Sequence, residues 1–177
     1  MMFIMPDKKH EELAKEVLKK YDKESDVIEH KGFMGAERFP ELEKTLGEEL
    51  LTPTRLYPRV CLPLIEKFDI HGMVHITGGG FYENIPRALP EHLAAEVDAS
   101  AWQTLPIFRL LQEWGNVDGH EMYRTFNMGV GMVIIAAPEE AVKIRAHLAS
   151  AGEEVYEIGC VKKGAHDVTI KGGVLDA

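Results

Sequence analysis

The chain has 177 residues, 20 Lys+Arg against 29 Asp+Glu, and a formal net charge of −9. That length suits one domain with an appended arm and is ample for a buried core. Hydrophobic residues make up 45% and charged residues 28%, which excludes disordered and fibrous classes. The acidic balance opposes nonspecific binding to nucleic acid or to an anionic membrane. A small phosphate ligand stays possible, because it answers to local donors. Cys61 and Cys160 lie far apart without CxxC spacing, which reads as a reduced, cytoplasmic chain with both thiols buried as small hydrophobes. No apolar run approaches the roughly 18 residues that span a bilayer, and MMFIMPDKKH does not read as a signal peptide.

In chain order, HEELAKEVLKKYDKE places Leu13, Val17, Leu18 and Tyr21 on one face of an amphipathic helix. An irregular connector follows, carrying Gly32, Gly35, Pro40 and Gly47, with one helical turn near Pro40 to Leu46. These observations divide the chain into 1–49, a helix and connector, and 50–177, the main domain. Pro58 opens a helix through Val60, Leu64, Ile65 and Phe68, with Pro63 predicting a kink or a later start. GMVHIT is a short strand running into Gly78-Gly79-Gly80, followed by a helical FYENIPRAL and a strand, LAAEVD. Pro106 opens a helix ending at Gly115, with Ile107, Leu110, Leu111 and Trp114 inward, and HEMYRTF is a short helix. The continuous apolar run GVGMVIIAA reads as a buried central strand. Pro138 opens a last helix that Gly152 closes, and EVYEIGCV and HDVTIKG are two closing strands joined through Lys163-Gly164. The irregular alternation predicts an α+β fold, a mixed β-sheet flanked by helices.

The segment from His75 to Phe81 carries the strongest chemical signal. Three glycines in a row lose more backbone entropy on folding than other residues, so they answer a steric demand. A glycine turn between strand and helix exposes N–H groups that can cradle phosphate. Neither GxGxxG nor GxxxxGK[ST] is present, so dinucleotide and P-loop readings fail. The competing reading is a tight turn or a close backbone approach. Asn84 and Arg87 follow three apart, with Asn84 as a possible cap for a helix opening at Pro86, and Arg87 offers a fork of donors to an oxyanion. The competing reading there is a cap plus a solvated arginine. In EMYRTFNMGVGM, Gly129 and Gly131 suggest a bulge or close approach, and Arg124 and Asn127 either brace the fold or contact ligand. Met128, Met132 and Phe126 read as core. His71 and His75 lie on a strand, no HExxH or GxSxG occurs, and no metal site or nucleophile is assigned.

LLTPTRLY (Leu50 to Tyr57), HGMVHITGGGFYENIPRALP (His71 to Pro90) and EMYRTFNMGVGM (Glu121 to Met132) resemble, in order, the C-terminal half of the aminoimidazole ribonucleotide synthetases, or phosphoribosylformylglycinamidine cyclo-ligases. The resemblance runs from about Thr45 to Ile170. It implies a C-terminal α+β domain that closes a cleft against an N-terminal, ATP-binding domain not contained in these residues. It further implies an ATP- and Mg²⁺-dependent ring closure in purine synthesis, with both cofactors held on that other domain. Carried over residue by residue, substrate or phosphate binding falls on Thr77, Gly78, Gly79, Gly80, Asn84, Arg87 and Asn127, with His75 and Arg124 as further candidates. No catalytic residue is assigned. The family's HSNG loop has no counterpart: ELAKEVLKK occupies that ground, and His30-Lys31-Gly32-Phe33 lies too near Leu50 to inherit the role. The implied partners are a phosphorylated small molecule and an ATP-binding domain or a second copy of the chain. The alternative is a phosphate-ligand-binding or assembly module without catalysis.

Overall fold

The computed structural model describes residues 2–4 and 36–173. Two compact units are formed, Pro6–Arg55 and Met1–Met5 with Leu56–Ala177. In the first, helix α1 (Leu46–Leu50) starts at Thr45, whose hydroxyl accepts from the Glu48 amide while the Glu48 carboxylate accepts from the Thr45 amide. This capping box, T-x-x-E, sets the helix after Thr45 and not over Pro40 to Leu46. The amphipathic helix expected over His10 to Glu24, and His30 to Phe33, lie outside the described residues.

The second unit is built on two sheets. Strands β1 (Met2–Ile4), β2 (Gly72–His75), β4 (Met132–Ile135) and β5 (Glu154–Tyr156) form an antiparallel sheet in the order β2-β4-β1-β5. Strands β3 (Leu93–Asp98), β6 (Gly159–Lys163) and β7 (Val168–Lys171) form the second, with β3 central, antiparallel to β6 and parallel to β7. The helices are α2 (Pro58–Lys67), α3 (Gly80–Asn84), α4 (Pro106–Gly115), α5 (Gly119–Thr125) and α6 (Pro138–Ser150), with a 3₁₀ turn at Pro86–Ala88. The α+β expectation holds, with the strands divided between two sheets.

Alternation along β4 explains its unbroken apolar run. Met132 and Ile134 enter one core with Tyr57, Cys61 and Leu64 near α2 and Ile144 and Leu148 of α6. Val133, from the opposite face, enters a second core with Val74, Phe81, Val97, Trp102, Met122, Tyr123 and Ile170. A strand covered on both faces needs no polar side. Helix α2 continues through Pro63, although proline removes the bond its N–H would give to the Arg59 carbonyl.

Four expectations are corrected. FYENIPRAL is not one helix: α3 stops at Asn84, and Pro86 starts a separate 3₁₀ turn capped by Ile85. Trp114 is 44% exposed, so the inward face of α4 is Ile107 and Leu110. EVYEIGCV divides at Ile158–Gly159 between the two sheets, and β6 and β7 flank β3 without pairing to each other. Cys160 is exposed because it faces outward on β6, whereas Cys61 is buried.

Candidate functional site

Strand β2 delivers the chain into a turn, Thr77 to Gly80, closed by the Gly80 amide donating to the Thr77 carbonyl at 3.0 Å. The three glycines answer three different circumstances. Gly80 has φ +55, and a Cβ there would overlap the Tyr123 carbonyl oxygen, so this glycine lets α3 pack backbone to backbone against α5. Gly79 has φ +94 and lies under Glu83, whose Oε2 would be 2.5 Å from a Cβ. Gly78 has nothing within 4 Å of a Cβ and no left-handed φ, and it is exposed.

Asn84, only 4% exposed, holds this turn from inside. Its Nδ2 donates to the carbonyls of Gly80 (2.7 Å), Gly78 (3.2 Å) and Thr77 (3.3 Å), and its Oδ1 accepts from the Thr77 hydroxyl at 3.4 Å. It ends α3 and does not cap a helix at Pro86. Asn84 and Arg87 therefore point their chemistry differently. Arg87 is exposed and lies 3.9 Å from Glu83, one helical turn earlier. An exposed pair of that kind contributes little to stability and leaves the guanidinium available to an oxyanion.

The second loop joins α5 to β4. Asn127 Oδ1 accepts from the Gly129 amide at 3.0 Å, and the Val130 amide donates to the Asn127 carbonyl at 2.8 Å. Met128 and Gly129 sit at φ +51 and +89, a compact turn that the Asn127 side chain ties off. Gly131 admits the Tyr57 hydroxyl, which a Cβ would overlap, and its carbonyl accepts from Ile76 at 2.9 Å. His75, exposed on β2, stands edge-on to Tyr57 with ring centroids 5.5 Å apart. Arg124 is bound to Glu121 through Nε at 2.9 and 2.8 Å, which holds the Glu121 carboxyl below its ordinary range. Arg124 also lies in the field of Glu83.

The structure thus gathers Thr77 to Gly80, Asn84 at the end of α3 and Arg87 on the 3₁₀ turn, with Arg124 on the neighbouring α5, while Asn127 ties off the loop that follows α5. Three contributors escaped the sequence reading. Trp102 donates from Nε1 to the Met128 carbonyl at 3.1 Å and stacks on Phe81, with centroids 5.8 Å apart and planes 14° from parallel. Tyr82 stacks on His120 at 4.4 Å, joining α3 to α5, and burial, then Asp118, pushes the Tyr82 phenol up. Glu83 covers Gly79. Among these, only the aromatic residues adjoining the glycine motif were visible as a signal. Among the described residues no group of three His, Cys, Asp or Glu side chains is arranged to hold a metal ion.

Comparison with known proteins places the chain. Residues 25–171 match the family described as AIR synthase related protein, C-terminal domain. The phosphoribosylformylglycinamidine cyclo-ligase of Brevibacillus brevis is 44% identical over 146 residues, 82% of this chain and 42% of that protein. The enzyme of the same name from Neisseria gonorrhoeae is 51% identical over 120 residues, 68% of this chain and 35% of that protein. The chain therefore spans about two fifths of these relatives or less. Among solved structures, a thiamine-monophosphate kinase from Stenotrophomonas maltophilia shares the fold, with a TM-score of 0.51 and 17% identity over 71% of this chain and 38% of that one. The chain belongs to the AIR synthase C-terminal domain family.

Proposed function

We propose that this chain serves as the substrate-side, C-terminal half of a phosphoribosylformylglycinamidine cyclo-ligase, acting with an ATP-binding domain in the ring closure that gives aminoimidazole ribonucleotide. The likeness to enzymes of that name over 120 residues or more supports the reading. One observation at the site carries it furthest. Gly79 and Gly80 have reasons within the fold, whereas Gly78 is open and exposed and has none. A glycine the fold does not require is where a ligand can approach the backbone. Gly78, Gly79 and Thr77 supply the neutral donors, Arg87 the charge, with Arg124 and His75 beside them. Asn84 and Asn127 fix the two loops from behind. No described residues form a group fit for a divalent ion, so no step through ATP or Mg²⁺ is assigned to these residues. We place residues 50–177 in the catalytic half, in the cytoplasm. Among the described residues no helix is long and apolar enough to cross a membrane.

Titration calorimetry with formylglycinamidine ribonucleotide tests the site, and turnover after mixing with the N-terminal domain of a family member tests the activity. Binding that Arg87→Ala weakens at least fivefold, together with restored turnover, is the expected result. Absence of any phosphate-ester binding refutes the reading. Binding without restored turnover leaves the alternative, a binding or assembly module.

A further inference from the structure

A cleft of about 880 Å³ opens between the β3–α4 connection, one face of α4 and the turn into α5. It shares no residue with the glycine turn or the 126–131 loop, and its volume falls in the range of small-molecule sites. Arg109, Gln112, Glu113 and Asn116 line it at the three- and four-residue spacing that puts them on one helical face, and Gln103 and Thr104 face them from the connection. Among the described residues no hydrogen bond or ion pair engages any of these six side chains. Arg109 and Glu113 are spaced for an i,i+4 pair, yet they do not form one. Thr104 is only 6% exposed, and it brings a hydroxyl to the inner end of the cleft. The walls are firm. Asp98 Oδ1 fixes the neighbouring Ser100 by accepting from its amide at 2.9 Å, Trp102 is anchored on Met128, and Asn116 ends α4 in the left-handed region at φ 47.

Charge selects the ligand class. The lining carries one cation, Arg109, and two carboxylates, Glu113 and Asp118. A dianionic phosphate would meet net repulsion there. A zwitterion meets none. Arg109 and Glu113 are four residues apart, about 6 Å along the helix axis, which suits one carboxylate and one ammonium held on a single α-carbon. Gln103, Thr104, Gln112 and Asn116 offer only uncharged donors and acceptors for what remains of the ligand.

We propose that this cleft binds a free α-amino acid with an uncharged amide or hydroxyl side chain, its carboxylate on Arg109 and its ammonium toward Glu113. The site is separate from the phosphate reading of the glycine turn and does not depend on it. The test is titration of the full chain with L-glutamine, with glutarate, which lacks the ammonium, and with AMP. Saturable L-glutamine binding is expected, with at least a tenfold loss in Arg109→Met and in Glu113→Gln, no change in Arg87→Ala, and no measurable glutarate binding. Both substituted side chains of the cleft are exposed, and circular dichroism checks the fold. Thr104→Val, an isosteric change, is expected to cost a further several-fold. The proposal is overturned if wild type shows no saturation at about ten times a millimolar Kd, or if Arg109→Met and Glu113→Gln bind as wild type does. It is equally overturned if AMP binds through Arg109 more tightly than L-glutamine.

Discussion

Replacing Asn84 by Leu keeps the side chain's approximate volume and removes every polar atom that holds the glycine turn. The two Nδ2 protons serve three carbonyls: Gly80 at 2.7 Å in a buried setting, and Gly78 and Thr77 at 3.2 and 3.3 Å. Thr77 and Gly78 are exposed, so their carbonyls regain water when the donor goes. Gly80 is buried against Tyr123, so its carbonyl keeps the helical bond from the Asn84 amide but no water replaces the lost side-chain donor. Each of the three lost bonds costs about 0.5–1.5 kcal/mol. The sum, about 2–4 kcal/mol, is a large fraction of the stability of an ordinary domain. With a urea m-value of about 2 kcal/mol/M, the unfolding midpoint should fall by about 1–2 M. Asn84→Asp sharpens the test, because it keeps the shape and points a negative oxygen at three carbonyls. It should therefore be at least as damaging as Leu. A midpoint within about 0.2 M of wild type for either variant would refute the bracing role, and with it the claim that Asn84 is spent on the loop and not on ligand.

The glycines should separate cleanly by alanine substitution. Gly78→Ala should leave the urea midpoint unchanged while weakening phosphate-ester binding, whereas Gly80→Ala should lower stability by more than about 2 kcal/mol through collision with the Tyr123 carbonyl and strain at φ +55. Equal effects on stability would remove the distinction. Trp102→Phe should retain stacking on Phe81 but lose the donor to Met128, costing about 1–2 kcal/mol in a two-state urea titration. Glu96, between Lys162 and Lys171 on the outer face of the second sheet, has its carboxyl held at about 2 instead of 4.5 by hydrogen bonds from Lys162 and then Lys171. A carboxyl lowered in the folded state adds stability in full above about 4.5 and loses it as pH falls through about 2. Glu96→Gln should therefore flatten the pH dependence of the urea midpoint in that interval; an unchanged slope would count against the pairing.

Element type was legible wherever composition and breakers agreed. LAAEVD and the helix from Pro106 to Gly115 coincide with β3 and α4, the helix because proline opens it. What could not be read was anything decided by distant partners. Nothing local separates EVY from GCVKK, yet they join different sheets, with Gly159 at φ +152 passing where a Cβ would overlap the Glu96 carbonyl. The division of FYENIPRAL after Asn84 is local instead: Pro86 has no N–H for the Tyr82 carbonyl and starts a 3₁₀ turn, while the Asn84 side chain turns back to a loop six and seven residues earlier. Trp114 stands at an inward position of α4 by spacing, and only the tertiary arrangement leaves it exposed.

Two of the three motifs that carry the resemblance, His71 to Pro90 and Glu121 to Met132, are separated in sequence, and the structure supplies a physical reason for them to occur together. Gly80 of the first meets the Tyr123 carbonyl of the second without side chain between them. Phe81, the next residue, stands edge-on to Tyr123 at 5.6 Å and face to face with Trp102, whose indole nitrogen secures Met128 in the second loop. The Ile76 amide, just before the glycine turn, bonds to the Gly131 carbonyl at the end of that loop. A change at any of these positions moves both loops, since each is held by backbone carbonyls of the other segment or by one shared aromatic stack. The particular residues of the two motifs are therefore required first by each other. Gly78, Arg87 and Arg124 stand outside that mutual requirement, and they are the positions where ligand chemistry can be altered without dismantling the scaffold.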